Sequence, residues 1–193
     1  MINQITADIK ALIFDLDGTL IDSMPAHYEA WRIVLSHHGF HLSKEALYKI
    51  AGIPSYHVAQ ILLKQFNADL PVDALVTEKE KLYLAQIDKV KVIKPTFEIV
   101  KKYYKKLPMA VGTGGYREIS LLLLEKTNLL KYFDIVVSAD DVKSFKPEPE
   151  TFLKCAKAMN VHPENCLVFE DADNGVIAAN KAGMKVADLR KYI

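Results

Sequence analysis

The sequence predicts a doubly wound α/β fold built on a parallel sheet, with an all-helical insertion after the first strand. Three observations carry this prediction. Five short apolar runs have the length of buried parallel strands, segments of helical length and period separate the later ones, and residues 22–90 contain no comparable β run.

The first run, Ala11 to Phe14, ends at the polar turn Asp15-Leu16-Asp17-Gly18-Thr19. After it the period becomes helical: Tyr28, Trp31 and Leu35 share one face, as do Val58, Ile61, Leu62 and Phe66. Ser43, Ser55 and Asp69 are expected to start helices and Gly39 and Gly52 to stop them, which gives roughly four helices. The chain therefore divides into an α/β core of residues 1–21 and 91–193 and a helical segment of residues 22–90. Four further runs, Met109 to Val111, Ile135 to Val137, Cys166 to Phe169 and Met184 to Ala187, complete the predicted sheet. Helical stretches precede them or lie between them: Pro95 to Lys106, Tyr116 to Leu130, Glu148 to Met159 and Asn174 to Ala182. Right-handed crossovers join such elements. Pro147 and Pro149 suit a helix start, and Gly183 suits the turn from the last helix into the last strand.

Composition limits what such a chain does. With 193 residues, 50% hydrophobic and 25% charged, it is long enough for one buried core and too apolar for disorder. Its 25 Lys and Arg nearly cancel 24 Asp and Glu, so no overall field recruits nucleic acid. Lys101, Lys102, Lys105 and Lys106, set around Tyr103 and Tyr104, read as a solvated helix face with its aliphatic stems laid down. Cys155 and Cys166 lie in apolar stretches outside any Cys-x-x-Cys pattern and read as reduced packing residues. No run approaches the length of a membrane span, and Met1 to Lys10 lacks the basic and apolar stretches of a secretory signal. The expectation is a soluble, cytoplasmic protein, a monomer or weak homo-oligomer, with neither nucleic acid nor membrane as partner.

In an open α/β sheet, ligands bind beyond the carboxyl ends of the strands. The residues that follow the apolar runs are Asp15 and Asp17, then Thr113-Gly114-Gly115, then Lys146, then Glu170-Asp171. Four carboxylates gathered at one rim repel one another and any anion, so a dication is required there. Oxygen ligands without His or Cys favour Mg²⁺, with Asp15, Asp17, Glu170 and Asp171 as its candidate ligands. With the metal and Lys146 in place, a phosphate dianion becomes the natural guest. The Thr113 hydroxyl and the N–H groups of Gly114 and Gly115 are positioned to meet it. Two carboxylates on such a phosphoryl group suit covalent catalysis, Asp15 as nucleophile and Asp17 as general acid and base.

These motifs resemble those of the haloacid dehalogenase superfamily. Asp15-Leu16-Asp17-Gly18-Thr19 is similar to its first motif, Thr113 to its second, Lys146-Pro147-Glu148-Pro149 to its third and Glu170-Asp171 to its fourth. The resemblance implies a haloacid dehalogenase-like, Rossmann-like core whose helical insertion is a cap of the β-phosphoglucomutase-like subfamily. The stretches from Ala26 to Trp31, from Ala110 to Gly114 and from Val168 to Asp173 are similar to the branch that dephosphorylates fructose 1-phosphate and 6-phosphogluconate. A Mg²⁺-dependent phosphatase of a small phosphorylated sugar or sugar acid is implied, with an aspartyl-phosphate intermediate.

By the same resemblance His27 and Lys79 match cap positions that assist the general acid and bind substrate. His27 also fits a packed amphipathic helix beside Trp31, and Lys79 an exposed charge run, Glu78-Lys79-Glu80-Lys81. Ser55 falls where the mutases of the subfamily carry an arginine for a distal phosphate, which argues against mutase activity. Ala172 replaces the serine usual after the fourth motif, with Asp173 or Asn174 as candidate substitutes, and Ile93-Lys94-Pro95-Thr96 lacks the glycine often found at the return to the core. Asp17 itself separates phosphoryl chemistry from carbon–halogen cleavage, because the dehalogenase branch lacks that carboxylate. The rival readings are a β-phosphoglucomutase-type phosphomutase and a noncatalytic phosphate sensor.

Overall fold

Residues 5–191 are described by the computed structural model; Met1–Gln4 and Tyr192–Ile193, the ends of the expected core segments, lie outside the described residues. Strand β1 (Ala11–Phe14) is buried at every position and forms the middle of a five-stranded sheet. It is flanked by β4 (Met109–Gly112) on one side and β6 (Cys166–Glu170) on the other, both parallel to it. Beyond them lie β5 (Ile135–Val137) and β7 (Lys185–Asp188), giving the order β5-β4-β1-β6-β7.

Side-chain alternation along β1 explains why the sheet is covered on both faces. Leu12 and Phe14 join Val111, Val100, Leu123 and Leu124 on the face packed by helices α5 (Lys94–Tyr103) and α6 (Arg117–Lys126). Ala11 and Ile13 join Phe152, Cys155, Ala178 and Ala179 on the face packed by α7 (Glu150–Ala158) and α8 (Asp173–Lys181). The chain builds outward from β1 to β4 and β5, then returns to the other side through β6 and β7. That reversal at β1 creates a topological switch point, and the carboxyl ends of β1, β4 and β6 meet there.

The parallel-sheet architecture is as the sequence predicts. The edge strands β5 and β7 are only half-buried, since each pairs on one side alone. The last strand starts at Lys185, one residue later than its apolar run, and Met184 is buried just before it.

Between β1 and β4 come α1 (Met24–His37), α2 (Lys44–Tyr48), α3 (Ser55–Gln65) and α4 (Val72–Leu84). They enclose a separate cluster of Trp31, Val34, Leu35, Leu47, Leu62 and Leu75 among others. Where the chain leaves and rejoins the core, β2 (Ile21–Asp22) pairs antiparallel with β3 (Lys91–Val92). Sequence pattern missed this two-residue ribbon because it is shorter than any readable alternation.

Three details depart from the expected helices. Ile61 is 40% exposed, because α3 buries the arc Val58, Ala59, Leu62 and Leu63 and turns Ile61 outward. Ser43 caps α2 as predicted, its hydroxyl accepting from the Ala46 N–H. Ser55 is instead the first residue of α3, whose N-cap is Pro54, and α4 starts after Pro71 rather than at Asp69.

Candidate functional site

The turn after β1 delivers two carboxylates with different partners. Asp15 is buried and accepts a hydrogen bond from Lys146 Nζ at 2.6 Å. The same ammonium donates to Glu170 Oε1 at 2.7 Å and lies over the Phe152 ring, so the loop before α7, the end of β6 and the end of β1 share one buried cation. Glu170 also accepts from the Ala172 N–H at 2.7 Å. Asp171 accepts from the Thr19 hydroxyl at 2.7 Å.

Two glycines give these acids room. At Gly18, which has φ +84°, a Cβ would overlap the Asp171 carboxylate. At Gly175 a Cβ would overlap that of Glu170, so α8 crosses close above it.

Asp15, Glu170 and Asp171 each offer an oxygen within 4.8 Å of the others. Three acids against one ammonium leave an excess of negative charge. Burial raises the Asp15 carboxyl well above the usual carboxylate range; Lys146 opposes this, while Glu170, Asp171 and Asp17 add to it. Burial, then the charge of Glu170, pushes Asp171 up to about 7. Burial alone would draw the Lys146 ammonium down, but Asp15 and Glu170 more than reverse that. An all-oxygen, over-acidic cluster of this kind fits a hard divalent cation.

Asp17 is turned away from that cluster. Its Oδ1 accepts from the Ser23 hydroxyl at 2.5 Å and lies 3.4 Å from His27 Nε2 at the start of α1. Its carboxylate is therefore not among the three grouped acids, two of which come from the tip of β6. Burial works to raise Asp17, but the hydrogen bonds from His27 and Ser23 and the nearby Lys79 charge hold it below its ordinary value.

His27 and Lys79 both reach this place. Lys79, fully buried on α4, lies 3.0 Å from His27 Nδ1, 3.0 Å from Ser55 Oγ and 3.0 Å from Glu80 Oε1, and stands over the rings of Trp31 and Tyr83. It is no part of an exposed charge run. Burial, then the Lys79 charge, keeps His27 below its ordinary pKa, while the ring stacks on Tyr83 with centroids 4.0 Å apart.

Thr113, at the tip of β4, is buried and lines the same cavity as Asp15, Asp17, His27 and Lys79. Its Oγ accepts from the Gly115 N–H at 3.0 Å, so that N–H, expected to face a ligand, is already committed. Gly114 lies where the helical segment meets the core backbone to backbone, because a Cβ there would overlap the carbonyl oxygen of Gly52. Asn174 reinforces this contact by donating to the Ala51 carbonyl at 2.9 Å. Asp173 pairs with Arg190. Both side chains are thus engaged with other partners.

Sequence reasoning named Thr19 within the first motif without giving it a role, and missed Ser23, Glu80 and Gly175. Thr19 and Ser23 lie close to the Asp15-x-Asp17 motif, and hydroxyls within a turn of two catalytic-type acids are a readable sign. Glu80 and Gly175 gave no such sign, since their roles depend on contacts between elements.

A model of the haloacid dehalogenase-like hydrolase family matches residues 12–189, nearly the whole of this α/β core and its insertion. The chain belongs to that family. It is 45% identical over 180 residues to the fructose-1-phosphate phosphatase YqaB of Escherichia coli (strain K12), covering 93% of this chain and 95% of that protein. It is 30% identical to the 6-phosphogluconate phosphatase of the same organism, covering 92% and 81%. Among solved structures, the β-phosphoglucomutase of Clostridium difficile superposes with a TM-score of 0.84 at 27% identity, covering 92% of this chain and 83% of that one. The family thus agrees with the resemblance carried by the four motifs. Among the described residues, no helix is long and apolar enough to cross a membrane.

Proposed function

We propose that this haloacid dehalogenase-like hydrolase is a Mg²⁺-dependent phosphatase of small sugar phosphates. In this reading residues 22–90 form a cap over a core of residues 1–21 and 91–193. The observation that carries the reading is the division of labour between two acids: Asp15 is bonded to Lys146 within an over-acidic cluster, whereas Asp17 is bonded to Ser23 and His27 under the helical segment. A phosphate-binding protein without turnover has no use for the second arrangement. The similarity to phosphatases of fructose 1-phosphate and 6-phosphogluconate supports the same conclusion.

Asp15, Glu170 and Asp171 would hold the metal, which when bound neutralises charge on the acids and on the phosphoryl oxygens. Asp17 is a carboxylate in the free protein and takes up a proton when the phosphoryl dianion binds beside it. Asp15 then attacks phosphorus, and the bond from phosphorus to the ester oxygen breaks as Asp17 gives that oxygen the proton, releasing the sugar alcohol. Asp17, now a carboxylate, takes a proton from water as the water oxygen attacks phosphorus. The bond from phosphorus to Asp15 breaks, inorganic phosphate leaves and both acids return to their starting forms. Lys146 and Thr113 hold the phosphoryl oxygens, and Gly114 joins the substrate wall where the cap meets the core. Cap contacts through Gly52 and Ala51 exclude bulk water during the transfer.

Ser55 weighs against a mutase. Its hydroxyl donates to Glu80 at 2.6 Å, so the position where a mutase grips a second phosphate holds a committed neutral group. The test is phosphate release from fructose 1-phosphate with Mg²⁺. Turnover that vanishes in Asp15→Asn supports the proposal; full activity in that variant overturns it, and isomer formation stimulated by a sugar bisphosphate assigns a mutase instead.

A further inference from the structure

The three grouped acids do not open toward the same space. Asp15 is 4% exposed and, with Asp17, lines the cavity that holds Thr113, His27 and Lys79. Glu170 is fully buried and lines neither that cavity nor the next. Asp171 is half-buried and lines a second cavity, which lies between α2 with its C-cap Lys49 and the start of α8. Met24 and Ala51 line both cavities and so stand between them. Oxygens of the three acids lie within 4.8 Å of one another. A cation held by them therefore has the substrate cavity on its Asp15 side and the second cavity on its Asp171 side.

The second cavity suits the passage of a dication. Its outer residues, Glu45, Lys49, Asp173 and Arg190, are exposed. Arg190 would repel a cation if its charge were free, but it is paired with Asp173 and Asp188. That leaves Glu45 and Asp171 against Lys49, a wall with carboxylate in excess. The substrate cavity is the poorer way in. Lys79 sits fully buried in its wall, and Gly114 meets Gly52 backbone to backbone where the helical segment joins the core. A metal site needs an entry path as well as ligands. A path through the substrate cavity would bring a dication past the Lys79 ammonium and past any bound ester.

Resting on the metal-dependent reading above, we propose that the cavity between α2 and α8 is the divalent cation's own entrance, so that the ion reaches Asp171 and leaves from it without crossing the substrate cavity. Metal exchange then requires neither departure of the ester nor movement of the helical segment away from the core.

The test is the rate of Mn²⁺ exchange, because Mn²⁺ takes the same oxygen ligands as Mg²⁺ and is followed by electron paramagnetic resonance after rapid mixing. Lys49 is exposed at the mouth and is no part of the acid cluster. Lys49→Cys is labelled with a bulky maleimide, the native thiols Cys155 and Cys166 being buried. Association is timed on adding Mn²⁺ and dissociation on adding a chelator, for the wild-type chain and for Lys49→Cys before and after labelling. An obstructed doorway slows passage in both directions alike. The expected result is that the label lowers both rates by about tenfold or more and leaves their ratio, the Kd, unchanged. Unchanged rates overturn the entrance and leave the phosphatase reading intact. A label that acts on dissociation alone, and so shifts the Kd, also overturns it, because the acids themselves are then disturbed. Failure of the wild-type chain to bind Mn²⁺ overturns the metal-dependent reading, and the entrance with it.

Discussion

Lys79 Nζ lies 3.0 Å from His27 Nδ1, and through that ring the buried ammonium of α4 acts on Asp17. A charged lysine makes Nδ1 the acceptor and leaves the Nε2 proton for the Asp17 carboxylate. Burial and the Lys79 charge both hold His27 neutral, which keeps this single tautomer in place.

Removing the charge should therefore release the ring. In Lys79→Met, His27 is expected to titrate at higher pH than in the wild-type protein, as followed by imidazole NMR. The same variant should lose kcat by about tenfold or more on sugar phosphates, since Asp17 loses a fixed partner. An unmoved His27 titration would show that Lys79 does not reach it electrostatically.

Metal binding should depend on pH with a sign set by Asp171. Its carboxyl is ordinary in the unfolded chain and raised to about 7 in the fold, by burial and then by Glu170. Between those values the folded, metal-free protein binds more protons than the unfolded one. The stability linked to this group is present at low pH and is lost as pH rises through about 7. A divalent cation binds the ionised acids, so it should replace that loss. Adding Mg²⁺ is expected to raise the thermal midpoint more at pH 8 than at pH 5, and chelation should reverse the gain. An equal shift at both pH values would count against the acid cluster as the metal's place.

How far the fold and site were legible in the sequence varied with the range of the interactions. Buried parallel strands are continuous apolar runs, so β1, β4 and β6 stood out directly. Two helix ends did not, because Asn67 and Asn128 take the left-handed conformation that the glycine signals anticipate only for glycine. The acids at the strand tips were visible as motifs. What could not be read was direction: Lys79 sits among Glu78, Glu80 and Lys81, and only three-dimensional packing turns it under Trp31 and Tyr83. The separation of Asp17 from the three grouped acids was equally hidden, since two residues of spacing do not fix which way a turn points.

The thiols provide a check on the core. Burial pushes Cys166 up to about 11 and Cys155 higher still. Both should react slowly with a disulfide reagent in the native protein and promptly in denaturant, giving two thiols per chain. Rapid native labelling of Cys155 would mean that the α7 face opens readily.

If the helical segment closes over the core as proposed, that closure should be separable from chemistry at Gly114. A methyl group there would meet the Gly52 carbonyl, which belongs to backbone and cannot swing aside as a side chain could. Gly114→Ala should therefore hold the helical segment away from the core and weaken the Asn174 bond to Ala51 as well. The acids are untouched by the change, so Mg²⁺ should still raise the thermal midpoint. Sugar-phosphate kcat/KM is expected to fall by about tenfold or more, because transfer would proceed in a site open to water. Transfer to added alcohols gives the finer readout, since an open site admits competing nucleophiles that a closed one excludes. Wild-type rates in Gly114→Ala would show that the Gly52 contact can yield without cost and that closure depends on other residues.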